Sequence, residues 1–214
     1  MARAHRSNIR RRLKLAGNDG PVSFEILSPN EADVHRHLRE VYEVEASGWK
    51  SRTGTAILND PRIERFCTEI ATWGARAGIL RICFMRIGAK AAAAALLLEY
   101  AGRLWVLKQG YDERWSACAP GILLAQESIR YACDKGLVAF EFLGAAEKFQ
   151  TRWPIELTVY SRLRFYPLSL RGLAAFCDDA CRLPFNHLKA RWRSRSGSLS
   201  EFIRPAAKTS VKDP

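Results

Sequence analysis

Residues 114–122 read Arg-Trp-Ser-Ala-Cys-Ala-Pro-Gly-Ile and place a proline and a glycine where a helical pattern begins. A helix start has unpaired backbone N–H groups at the positive end of the helix dipole, and a Ser, Thr, Asp or Asn side chain normally caps them. Ala119 occupies the capping position and supplies no such side chain. The amides of Gly121, Ile122 and Leu123 could therefore bind a phosphate or pyrophosphate, or only water, as in an ordinary structural helix that begins with proline.

A carboxylate, Glu45, continues the apolar stripe of an earlier helix. The residues Ser28-Pro29-Asn30-Glu31 form a capping-box pattern, and Val34, Leu38 and Val41 follow at helical spacing. The same stripe directs Glu45 toward the interior. The glutamate either faces a cleft, where it could act as a base, or rotates into solvent at the helix end.

The elements around these residues begin with two helices and a set of strands. A second helix is predicted after Asn59-Asp60-Pro61, with one inward face made of Ile63, Phe66, Cys67, Ile70 and Trp73. Apolar runs at 80–87, 91–100 and 104–111 are separated by short glycine-containing turns, which suit antiparallel hairpins.

The second half of the chain continues with a helix over 120–135 that ends at Gly136. A strand over 138–143, a short segment through Trp153, a strand over 156–165 and a helical region over 168–190 are predicted to follow. We expect a basic arm at 1–20, a single domain at 21–190 and a basic tail at 191–214.

The charge is concentrated at the chain ends. The net charge is +12, and residues 1–14 hold six Lys/Arg and no acid, while residues 182–214 hold eight Lys/Arg and two acids. The central residues therefore hold equal numbers of basic and acidic side chains. We expect these ends to be simple solvated tails, although they could instead bind an anionic membrane surface, RNA or a polyanionic partner.

Cysteine spacing and hydropathy argue against a zinc protein, a secreted protein and a membrane-spanning protein. The six cysteines lack the paired spacing of a zinc site, the four histidines do not complete one, and no metal is expected. The arginine-rich start leads to no apolar signal region, and no apolar run reaches membrane-spanning length. We expect free thiols and a cytoplasmic protein, which could lie peripherally at the inner membrane surface.

Several segments resemble the CelD/BcsL-type branch of the GNAT acyltransferases, which is related to the Fem-type aminoacyl transferases. The matching residues are 45–56, 111–112, 119–124 and 141–144, together with Glu147, Phe149, Arg152 and Trp153. The chain departs from the family at Phe149-Gln150, where a tyrosine-lysine pair is usual, and at Ala146, where an acid is common. The resemblance implies an α/β (α+β) fold with a mixed, mainly antiparallel sheet flanked by helices.

The resemblance also implies a reaction, in which an amine or hydroxyl acceptor attacks an acyl-CoA thioester directly, with acetyl-CoA as the favoured donor. Glu45 and Glu141 are then candidate bases or acceptor-orienting groups, and Tyr111 is a candidate acid for the leaving thiolate. The acceptor pocket is expected to include Trp49, Lys50 and Glu147. The residues expected to hold CoA are Gln109, Ala119, Gly121, Ile122, Leu123 and Leu124.

Three functions remain open from the sequence. The first is acyl transfer from acyl-CoA to a small-molecule or sugar-linked acceptor. The second is Fem-like aminoacyl transfer from charged tRNA, for which basic ends would be useful. The third is a catalytically silent GNAT-fold binding module, which the altered residues at 146 and 149–150 favour.

Overall fold

The computed structural model describes residues 3–48, 53–144, 149–157 and 163–181. The chain divides into two compact units, residues 1–157 and 158–214. These limits differ from the expected boundaries at 20 and 190. The helices, strands and cavity discussed below belong to the first unit, and the second unit contains a helix over 170–181.

One five-stranded sheet organises the first unit, with its strands in the order β1-β2-β3-β4-β5. The strands are β1 (Val22–Leu27), β2 (Leu80–Ile87), β3 (Lys90–Tyr100), β4 (Arg103–Tyr111) and β5 (Ala139–Glu141). Neighbouring strands are antiparallel except β4 and β5, which are parallel. The mixed, mainly antiparallel sheet is confirmed, and β1 is an edge strand that the sequence patterns did not reveal.

Within the described ranges, four helices accompany the sheet: α1 (Arg3–Ala16), α2 (Val34–Ala46), α3 (Pro61–Arg76) and α4 (Pro120–Asp134). Short 3₁₀ turns occur at Ile57–Asn59, Glu113–Cys118 and Gln150–Arg152. Across the described ranges, no helix is both long and apolar enough to span a membrane.

The final strand expected from the sequence, at 156–165, is not supported. Residues 156–157 and 163–165 have no strand structure, and residues 158–162 lie outside the described residues. The helical region expected at 168–190 is described over 170–181.

The helices cover both faces of the sheet and create two apolar clusters. On one face, α2 and α3 pack against side chains such as Ile82, Phe84 and Leu96. On the other face, α1 and α4 pack against Met85 and Leu97 among others. The alternation of side chains along each strand divides them between these clusters, as expected for a sheet covered on both faces.

The amino-terminal residues form a packed helix instead of the expected solvated arm. Ala16 is fully buried, and Ile9 and Leu13 pack against the same apolar cluster as α4. The ring of His5 meets that of Trp153 edge-on, with 5.4 Å between their centroids. The basic side chains of α1 share a helix with an apolar face, and that face docks on the domain.

The starts and faces of α2 and α3 correct two expectations. Asn30 Oδ1 accepts a hydrogen bond of 2.9 Å from the amide of Asp33, so a turn precedes α2, which begins at Val34. In α3 the buried residues are small or thiol-bearing: Cys67, Ala71, Gly74 and Ala75. The predicted inward face is confirmed for Cys67 and Ile70, which pack in or against the core. It is wrong for Phe66 and Trp73, which are 60% and 54% exposed.

Candidate active site

The sheet opens between β4 and β5. The β3–β4 register shifts between Leu96 and Leu97, which leaves one additional residue, Leu107, in β4. The β4–β5 ladder ends where Trp105 pairs with Glu141. Alternate peptide groups of β4 beyond Trp105 therefore face a gap, because β3 occupies only one side of the strand.

A cavity of about 500 Å³ occupies this gap. Its walls come from the end of α2, from β4, from the start of α4 and from the chain after β5. The residues that line it include Glu45, Gly48, Gln109, Gly110, Tyr111, Ser116, Ala119, Gly121, Ile122, Phe142, Leu143, Phe149 and Gln150. The site therefore combines one carboxylate, one phenol and a helix start.

Glu45 lies in the last turn of α2 and is 1% exposed. Its Oε2 atom accepts a hydrogen bond of 2.9 Å from the amide of Ile57. The carboxylate lines the cavity and also holds the 3₁₀ turn that precedes α3. Of the two alternatives open from the sequence, the structure supports the cleft-facing one.

The two other predicted catalytic residues have different positions. Tyr111 ends β4, is partly buried and lines the cavity. Glu141 forms an ion pair with Arg103 and is not among the cavity-lining residues. The structure thus places Tyr111 together with Glu45 and separates Glu141 from them.

Asp112 shapes the loop that leads from β4 to α4. It is 4% exposed and accepts hydrogen bonds from the Arg114 amide at 3.0 Å and from Arg114 Nε at 2.8 Å. Burial alone would raise the pKa of Asp112, but the bonds from Arg114 outweigh it and hold that pKa below its ordinary value. The charged carboxylate therefore caps the 3₁₀ turn Glu113–Cys118.

The start of α4 lacks a side-chain cap, as expected from the sequence. Ala119 adopts a left-handed conformation, with φ 49° and ψ 63°, and no side-chain cap bond is present at this described helix end. The amides of Ile122 and Leu123 donate to the Ala119 carbonyl at 3.0 and 3.3 Å. Two of the amides expected to be available are therefore already engaged, which leaves Gly121 as the principal candidate.

Gln109 links β4 to this helix start. Its Nε2 atom donates a hydrogen bond of 2.6 Å to the Gly121 carbonyl, and a Cβ atom built on Gly121 would lie 3.2 Å from that nitrogen. The side chains of Leu123 and Leu124 are buried in the core, at 2% and 1% exposure, rather than in the cavity. Any contact they make with a ligand would use the backbone.

The thiols near the site are poorly suited to nucleophilic catalysis. Burial raises the pKa of the Cys118 thiol, whose sulfur donates to the Trp115 carbonyl at 3.1 Å. Burial also raises the pKa of Cys67 beneath the sheet. Both thiols therefore remain protonated near neutral pH, and a protonated thiol is a weak nucleophile.

Some site residues lie outside the expectations from sequence or outside the described residues. Trp49, Lys50 and Glu147, the predicted acceptor-pocket residues, fall outside the described residues. Ser116 and Leu143 line the cavity, but neither was predicted as a site residue from the sequence. Leu143 has a φ of 55°, a left-handed conformation that is uncommon outside glycine and that nothing in its sequence context signals.

Comparison with protein families identifies the chain. A family model described as an acetyltransferase (GNAT) domain matches residues 3–151. The chain belongs to this GNAT acetyltransferase family, a class of acyl-CoA-dependent acyltransferases. No curated protein sequence matches the chain.

Solved structures with a similar arrangement share little sequence with this chain. An aminoglycoside acetyltransferase, meta-AAC0020, from an uncultured soil metagenomic sample in complex with sisomicin is 12% identical, with a TM-score of 0.45, over 67% of this chain and 96% of that chain. The PaiA N-acetyltransferase from Thermoplasma acidophilum in complex with coenzyme A is 15% identical, with a TM-score of 0.40, over 54% and 75% of the two chains.

A third structure is the C-terminal domain (DUF2156) of a putative lysylphosphatidylglycerol synthetase from Agrobacterium fabrum. It is 16% identical, with a TM-score of 0.41, over 64% of this chain and 40% of that chain.

Proposed function

We propose that this acyltransferase moves an acyl group, in the first place acetyl, from acyl-CoA to an amine acceptor that could be sugar-linked. The observation that carries the proposal is the cavity between β4 and β5, which joins the Glu45 carboxylate, the Tyr111 phenol and the start of α4. A volume of about 500 Å³ suits a small ligand. Direct attack by the acceptor requires no covalent enzyme intermediate.

The donor would enter the gap between β4 and β5. Backbone amides of β4 that face the gap would bond to the acyl and pantetheine groups, and an amide near the thioester carbonyl would stabilise the oxyanion. The Gly121 amide at the start of α4 would meet a phosphate of CoA. Gly121 lines the cavity, and its missing side chain permits this approach.

Proton transfer would use two of the polar side chains that line the cavity, Glu45 and Tyr111. Glu45 would take a proton from the acceptor ammonium or amine, directly or through water, while its second role is to hold Ile57. Tyr111 would donate a proton to the departing CoA thiolate. Glu141 has no part in this proposal because it is paired with Arg103 away from the cavity lining.

We further propose that the chain belongs to the CelD/BcsL-type branch, on the sequence segments that resemble it. A Fem-like enzyme would use charged tRNA as its donor, and a binding module would hold a donor without turnover. Both alternatives make different predictions from acyl-CoA transfer. The identity of the donor and the presence of product therefore distinguish the three functions.

The test is to incubate the purified protein with either acetyl-CoA or aminoacyl-tRNA and a panel of amines that includes amino sugars and polyamines, to detect acylated product by mass spectrometry, and to measure CoA binding by calorimetry. A Glu45→Gln, Tyr111→Phe double variant is the matched control for spontaneous acetylation. Product formed only by the wild type supports the proposal. Transfer only from aminoacyl-tRNA, or CoA binding without any product, contradicts it.

A further inference from the structure

Arg12, on α1, is a partly buried cation that contains one fully buried donor atom. Its Nε atom is buried and has no hydrogen-bond partner among the described residues. No ion pair between described residues involves Arg12 or Arg152. A buried unpaired polar group is costly, so a site that retains one requires an explanation.

Two other cations, Arg11 and Arg152, lie near Arg12. Burial lowers the pKa of Arg12, and the nearby charges of Arg152 and Arg11 lower it further. The guanidinium groups of Arg12 and Arg152 therefore repel each other in the free protein. An anion bound between them would relieve this repulsion and satisfy the buried donor.

Both arginines have neighbours in the wall of the cavity. Arg12 interacts electrostatically with Cys118, which immediately precedes Ala119 at the start of α4. Arg152 ends the turn that begins with Gln150, and both Gln150 and Ala119 line the cavity. Neither arginine is among the residues that line the cavity, but each lies close to one that is, and α1 packs against the 3₁₀ turn after β4.

The elements that carry the two arginines are fixed to α4. Gln126 Oε1 accepts a hydrogen bond of 3.0 Å from Trp153 Nε1 and lies 3.4 Å from His5 Nε2. The rings of His5 and Trp153 are also in contact. These contacts hold α1 and the turn before Trp153 against one helix, so the arginine pair is organised before any ligand arrives.

We propose that Arg12 and Arg152 bind a phosphate group of the CoA donor, either the 3′-phosphate or the diphosphate. This inference rests on the proposed acyl-CoA donor. It makes α1 a part of the binding site, because the helix contributes one of the two guanidinium groups. Arginine suits this role because its planar donors match phosphate oxygens.

The test measures binding of CoA and of 3′-dephospho-CoA by calorimetry to Arg12→Met, Arg152→Met and the control Arg11→Met. Arg11 lies on the same helix, is exposed and loses the same charge. We expect CoA affinity to fall about 10- to 100-fold for the first two variants and less than about threefold for the control. If the variants lose affinity for CoA but not for 3′-dephospho-CoA, the arginines bind the 3′-phosphate. If they lose affinity equally for both ligands, the arginines bind the diphosphate. Unchanged affinity in both test variants overturns the proposal.

Two further measurements separate the possible failures. The melting temperature of ligand-free Arg12→Met should equal or exceed that of the wild type, because the substitution removes repulsion between the two guanidinium groups. If Arg12→Met does not fold, the binding data for Arg152→Met still test the proposal, because Arg152 is exposed. If the wild type binds no CoA, the proposed function fails. In that case, the phosphate site is supported if adenosine 3′,5′-bisphosphate binds and Arg152→Met weakens that binding. Any other result contradicts the phosphate site.

Discussion

A Cβ atom built on Gly110, near the end of β4, would lie 2.6 Å from the Cα atom of Glu45 in the last turn of α2. It would also lie 2.8 Å from both Cβ and Cγ of the glutamate. The backbone of Gly110 therefore packs directly against Glu45. This close approach sets how far the carboxylate reaches into the cavity.

We expect Gly110→Ala to displace α2 from β4, because backbone atoms cannot yield as a flexible side chain does. Overpacking of this kind costs about 1–3 kcal/mol, so the free energy of unfolding should fall by that amount. Chemical denaturation would measure it. Gly17→Ala is the control, since a Cβ there meets only ordinary contacts at 3.4 and 3.5 Å. Equal stability of the two variants would contradict the packing argument.

The meander and α4 could be predicted because their signals are local. Apolar runs between short glycine turns gave β2, β3 and β4 almost to the residue, and the Pro-Gly pair marked the start of α4. The inward face of α3 could not be predicted from apolarity. The helix approaches the sheet so closely that small residues occupy its buried face. A Cβ atom on Gly74, for example, would lie 3.0 Å from Leu98 Cδ2.

The candidate site was predictable only where one residue carried its own signal. Glu45 interrupted an apolar stripe, and Ala119 stood where a capping side chain is usual. Arg12 gave no comparable signal, because its burial depends on α1 packing against elements more than 100 residues later in the sequence, including Gln126 and Trp153. The ion pair of Glu141 with Arg103 gave no signal for a related reason, because strand alternation predicts the face of a side chain but not its partner.

Glu45→Gln should lower turnover while it preserves the fold. The glutamine oxygen can still accept the hydrogen bond from the Ile57 amide, but it cannot act as a base at neutral pH. Loss of a general base typically costs about 10²- to 10⁴-fold in rate. Steady-state kinetics with acetyl-CoA and calorimetric CoA binding would show a fall in kcat with little change in donor affinity.

Glu45→Ala separates the two roles of this side chain. It removes the base and also leaves the buried Ile57 amide without its acceptor, so stability should fall by about 1–3 kcal/mol in addition to the loss of turnover. If Glu45→Gln has wild-type kcat across the pH range while Glu45→Ala is merely unstable, Glu45 only positions the turn at Ile57–Asn59.

Gly121→Val should weaken CoA binding by about tenfold or more without unfolding the domain. A side chain there would occupy the approach to the backbone amide, and its Cβ atom would lie 3.2 Å from Gln109 Nε2. Calorimetry on the folded variant measures the effect. Gln109→Ala is the control variant, because it removes that neighbouring side chain and leaves the Gly121 amide accessible. If wild type and Gly121→Val have comparable CoA affinity, the helix start is not the donor contact.

Acid should destabilise the loop that Asp112 caps. The pKa of Asp112 is lower in the folded protein than its ordinary value of about 4. The folded state therefore binds this proton less readily than the unfolded chain. The stabilisation is complete above about pH 4 and is lost as the pH falls through the folded-state pKa.

Thermal unfolding of the wild type and of Asp112→Asn, followed from pH 7 to pH 2, tests this expectation. The asparagine can still accept from the Arg114 amide but cannot form the ion pair, so the variant should be less stable at pH 7 and lose less stability in acid. Asp134→Asn, at an exposed position, controls for the loss of one carboxylate. If Asp112→Asn and the wild type lose the same stability between pH 5 and pH 2, the Asp112 carboxylate does not carry the predicted proton linkage.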